Sequence, residues 1–75
     1  MPHVNIKHFP REFTEEQRQR LSEQITQLIL DNFDTYEGAV SIALEPVAKA
    51  DWKETVVGPE ITERQHLLLK APNYR

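Results

Sequence analysis

An α+β fold built on one parallel β-α-β unit is what this sequence predicts. Three observations carry that prediction. Apolar and polar residues alternate over residues 4–9, an apolar stripe of helical period runs through residues 14–32, and a second alternation covers residues 40–45.

In the first segment Val4, Ile6 and His8 alternate with Asn5, Lys7 and Phe9, the period of a half-buried strand. Pro10 stops it, because proline has no N–H to donate to a ladder. Thr14-Glu15-Glu16-Gln17 then forms a capping box: the threonine hydroxyl can take the Gln17 N–H while the Gln17 side chain reaches back. The two acids suit the positive end of the helix dipole. Leu21, Ile25, Leu28, Ile29 and Phe33 recur at spacings of three and four, which gives one apolar stripe along a helix near 14–32. Asn32, Asp34 and Gly38 mark its exit. Val40, Ile42 and Leu44 alternate with Ser41, Ala43 and Glu45 until Pro46 ends a second strand. Two strands joined through a helix run parallel, with a right-handed crossover.

The remainder is less regular. Residues 48–52 read as a loop or turn, and Thr55-Val56-Val57 as a short extra strand. Gly58-Pro59 suits the start of a short C-terminal helix, with proline in the first helical position, ending before Pro72. Leu67-Leu68-Leu69 cover more than one side of such a helix, so part of the triplet is expected to meet a second subunit.

A chain of 75 residues and 8.8 kDa is expected to form a single domain over residues 1–75. A domain of this size buries only about 60% of the surface its unfolded chain exposes, and leans on disulfides, metals or partner subunits. There is no cysteine, and His3, His8 and His66 lack a zinc-type spacing, so self-association is the stabiliser left. The net charge of −3 and the absence of a basic cluster argue against nucleic acid. No apolar run approaches the roughly 20 residues that cross a bilayer. The first residues lack the pattern of a signal peptide, so a cytoplasmic setting is expected, with no membrane partner.

Few residues offer chemistry. Ser22 and Ser41 have no nucleophile elbow, and two glycines cannot build a phosphate loop. Glu15 and Glu16 read as a solvated first helical turn. His3 and His8 read as structural or interface residues, His66 as exposed, and Lys7 as facing solvent or an interface. Pro2 differs. Removal of Met1 leaves a secondary amine at the start of a strand. An ordinary α-amino group has a pKa of about 7.7–8.0, and an apolar pocket or nearby cations lower such a value. Its fixed ring aims the lone pair, as a general base near neutral pH requires.

Pro2-His3-Val4-Asn5-Ile6-Lys7, Pro10-Arg11-Glu12, Thr14-Glu15-Glu16-Gln17, Val40-Ser41-Ile42-Ala43-Leu44-Glu45, Trp52 and Lys70-Ala71-Pro72-Asn73-Tyr74 together resemble the 4-oxalocrotonate tautomerase family, in particular its small bacterial cytoplasmic members. The likeness covers nearly the whole chain. It implies a cofactor-free, metal-free enol–keto tautomerase of small 2-hydroxyenoate or arylpyruvate enols, with Pro2 moving the proton. It implies that Trp52 forms an aromatic wall. The family's first arginine falls on Glu12 here, with Arg11 beside it as the residue to hold a substrate carboxylate. The family's second arginine falls on Ser41, and without that cation a monocarboxylate with an apolar or aromatic tail is the expected substrate. The resemblance further implies an oligomer, a homodimer by preference, with pockets completed across the interface. Two alternatives share the sequence: a hydratase or dehalogenase of unsaturated acids on the same fold, and a non-catalytic oligomerising module.

Overall fold

The computed structural model of the protein describes residues 1–74. Its elements are β1 (His3–His8), α1 (Glu15–Asn32), β2 (Ser41–Pro46) and α2 (Lys53–Thr62), with single 3₁₀ turns at Glu37–Ala39, Lys49–Asp51 and Gln65–Leu67. The chain divides into two compact units, residues 1–6 with 11–45, and residues 7–10 with 46–74.

In the first unit β1 and β2 are hydrogen-bonded neighbours. The Ser41 N–H donates to the Pro2 carbonyl at 3.2 Å, and further along, in the second unit, the Val47 N–H donates to the His8 carbonyl at 2.8 Å. Partner numbers rise together along the two strands, so the pairing is parallel. The capping box forms as read: Gln17 N–H to Thr14 Oγ1 at 3.0 Å, and Thr14 N–H to Gln17 Oε1 at 3.0 Å. At the other end the extended Phe33 stops α1, its N–H donating to the Ile29 carbonyl at 2.8 Å.

Leu21 and Ile25 of α1 share a space with Ile42 and Leu44 of β2, and Ile29 is buried. The rest of the predicted stripe is not covered, since Leu28 and Phe33 stay 58% and 56% exposed. Two strands lie only about 5 Å apart, so a two-stranded sheet is too narrow to cover a five-turn helix.

The second unit has its own small core of Val47, Val56 and Ile61, with Trp52, Val57 and Leu68 packed against it. Here the extra strand is corrected: Thr55, Val56 and Val57 lie inside α2. Their β-branched side chains suit a strand, but burial of Val56 and Ile61 against Val47 outweighs that weak preference. Gly58-Pro59 is not a helix start either, because both residues lie within α2. The helix is wound with i→i+5 hydrogen bonds, as in the Glu63 N–H to Gly58 carbonyl bond of 3.0 Å. Pro59 has no N–H to give, and its ring crowds the carbonyl four residues back in an α-helix. The wider winding relieves that crowding. The C-terminal helix shrinks to the single turn Gln65–Leu67. Leu68 alone of the triplet packs on the core, while Leu67 and Leu69 are exposed. No helix among the described residues is long and apolar enough to cross a membrane.

Candidate functional site

Pro2 is half-buried, and the Ser41 N–H on its carbonyl fastens it to the start of β2. Met1 beyond it is 97% exposed. Next along the strand, His3 Nδ1 lies 2.6 Å from Ser41 Oγ. On the same sheet face Asn5 Nδ2 donates to Glu45 Oε1 at 3.0 Å. These cross-strand pairs hold the first residues of the chain in one register.

Arg11 belongs to the same unit but to its other end. Between Pro2 and Arg11 the chain runs along β1, about 20 Å of extended backbone. Arg11 lies instead beside the first turns of α1, in a cleft with Phe13, Gln17, Arg20, Leu21 and Gln24. Its guanidinium carbon stands 4.8 Å from the Phe13 ring centroid. The C-terminal end of α1 is the end that leads back, through residues 33–40, to Ser41 and Pro2. Pro2 is not among the residues that line the Arg11 cleft.

Trp52 lies in the second unit. Its Nε1–H donates to the Tyr74 hydroxyl at 3.1 Å, and its ring meets Phe9 edge-on, centroids 4.9 Å apart at 78°. The indole, which also packs against the core of Val47, Val56 and Ile61, is thereby oriented from two sides. Nothing in the sequence marks Phe9 and Tyr74 as neighbours of Trp52; both stand in blocks of the family likeness, Phe9 before Pro10-Arg11-Glu12 and Tyr74 at the end of the last block.

Lys7, expected at solvent or an interface, is instead paired within the chain: its Nζ lies 3.0 Å from Glu60 Oε2 on α2. The Lys7 hydrogen bond, and then its charge, hold the Glu60 carboxyl below the ordinary carboxylate range. Desolvation opposes this, and Arg64, 3.6 Å from Glu60 Oε1, adds to it more weakly.

The first unit is thus a parallel β-α-β unit in which the backbone carbonyl of Pro2 is fastened to the start of β2. Residues 2–63 match the family described as Tautomerase enzyme, and the chain belongs to that family of isomerases. Among curated proteins it is 42% identical to Tautomerase PptA of Klebsiella pneumoniae (strain 342) and 40% identical to Tautomerase PptA of Enterobacter sp. (strain 638). Each match covers 99% of this chain and 97% of the relative. Among solved structures, the crystal structure of DmpI from Helicobacter pylori superposes with a TM-score of 0.54 at 26% identity. That match covers 63% of this chain and 78% of DmpI.

Proposed function

We propose that the protein is a cofactor-free enol–keto tautomerase of small 2-hydroxyenoate or arylpyruvate enols, with Pro2 as general acid and base once Met1 is removed. The observation that carries this reading is the anchoring of Pro2: half-buried, its carbonyl on the Ser41 N–H, with Met1 standing in solvent where an aminopeptidase reaches it. A nitrogen held in this way keeps its lone pair in one direction.

The Pro2 amine takes the enol O–H proton, and the O–H electron pair becomes the C=O π bond. The former C=C pair then takes the proton from prolinium onto carbon. Nothing is lost from the substrate, and the amine is regenerated. A positioned base of this kind contributes about 10²–10⁴-fold. Arg11 holds the substrate carboxylate in a bidentate fork. Because β1 separates Arg11 from Pro2 of the same chain, that arginine comes from a second copy. Trp52 offers an aromatic surface to the substrate tail. The assembly we favour is a homodimer in the cytoplasm.

The test is intact mass together with enol–keto conversion of phenylpyruvate. Loss of Met1 with turnover that collapses in Pro2→Ala supports the reading. Full turnover by a form that keeps Met1 defeats it, because the nitrogen is then an amide without a basic lone pair.

A further inference from the structure

The cleft that holds Arg11 contains a second arginine, which neither the sequence reading nor the family likeness assigns. It measures about 210 Å³, below the 300–1,000 Å³ of sites for drug-sized ligands, so it suits a small molecule. Arg20 enters it from α1, one turn beyond Gln17 and one turn before Gln24. Its link to Glu16 is loose: Nη2 to Oε1 is 3.9 Å, with the side chains 58% and 89% exposed. Such a pair contributes little and yields readily to a better anion. Arg11 is oriented by Phe13 beneath it, and a guanidinium laid on a ring keeps its in-plane N–H donors for a ligand. Gln17 has its Oε1 taken by the Thr14 N–H, which leaves its NH₂ as the donor end. Leu21 and the Phe13 edge supply an apolar border.

We propose that Arg20 is a substrate-binding residue, which together with Arg11 and the Gln17 amide clamps the carboxylate of a small acid whose apolar tail lies along Leu21. This rests on the tautomerase reading above and extends it: it gives the carboxylate a second cation where the sequence shows Ser41 in place of one. Two guanidinium groups in one small cleft repel each other until an anion lies between them, and a carboxylate accepts from both forks.

Phenylacetate carries the carboxylate and the aryl tail but has no enol to convert. It is titrated into the full chain while the arginine Nε–H signals are followed by NMR, with inorganic phosphate as a second probe. The Arg11 and Arg20 signals are expected to move together. Arg20→Gln is expected to weaken binding about tenfold or more, and Arg20→Lys to recover only part, since an ammonium lacks the fork. Arg20 is exposed, and a circular dichroism spectrum verifies that both variants fold. In turnover, Arg20→Gln raises KM for the phenylpyruvate enol and leaves kcat nearly unchanged, as for a group that holds ground state and transition state alike. Phenylacetate bound by Arg20→Gln as tightly as by the wild type overturns the proposal. So does phosphate binding as tightly as phenylacetate. Pro2→Ala separates the two readings: if it keeps full turnover, the Pro2 mechanism fails while the binding titration still decides the role of Arg20.

Discussion

His3 Nδ1 and Ser41 Oγ lie 2.6 Å apart, one at the start of each parallel strand, and the Ser41 N–H also holds the Pro2 carbonyl. One residue of β2 thus fastens both Pro2 and the first residue of β1. Ser41→Ala removes the side-chain link and keeps the backbone one. We expect a loss of about 0.5–1.5 kcal/mol, read as a lowered urea midpoint with unchanged slope. A loss well above that range would mean the hydroxyl does more than bind His3.

The Pro2 variants separate chemistry from folding. Pro2 adds no side-chain hydrogen bond, so Pro2→Ala is expected to unfold near the wild-type midpoint while tautomerase turnover falls about 10²–10⁴-fold. Turnover and midpoint falling together by matching amounts would assign the proline a structural role instead.

The Lys7–Glu60 pair makes stability depend on pH. Glu60 is held below its unfolded value, so its contribution is fully present above the unfolded carboxylate pKa of about 4.3. It is lost as pH falls through the lower folded value. Glu60→Gln is therefore expected to be less stable than the wild type at pH 7, with the two denaturation midpoints converging under strong acid. Curves that stay parallel from neutral to acid pH would dissociate the pair from stability.

Trp52 is the single tryptophan, so its emission reports on its own surroundings. If the indole borders the substrate tail, an aryl carboxylate shifts or quenches that emission, and Trp52→Phe raises KM while keeping the fold. Tyr74→Phe removes the acceptor of the indole N–H and is expected to shift the resting emission. Emission that ignores saturating ligand would place Trp52 in packing alone.

The β-α-β unit was legible because each of its parts repeats one short rule. Thr14 and Gln17 cap locally, and Val4, Ile6, Ile42 and Leu44 keep a period of two. Pro10 and Pro46 mark the ends of strands in the sequence, and β2 in fact includes Pro46 as its last residue. Residues 53–62 failed the same rules. Val56 and Val57 have strand propensity, and Pro59 argues against a helix interior, yet a wide winding accommodates the proline while Val56 and Ile61 reach Val47. No local pattern signals a helix of that pitch. Among the candidate site residues, Pro2 could be named because its residue type carries a chemistry, and Trp52 because the family likeness keeps an aromatic there. Arg20 could not, since one arginine on a charged helix face looks like any other. Its meaning depends on the loop that returns Arg11 to the first turns of α1.

The length of β1 has one more consequence. If the amine of one polypeptide works with the arginine of another, then two individually inactive proteins, Pro2→Ala and Arg11→Gln, complement each other. Unfolded together and refolded as a mixture, they regain turnover that neither possesses by itself, because some hybrid assemblies unite the intact half of each. A mixture that stays silent would mean that both halves act from the same polypeptide.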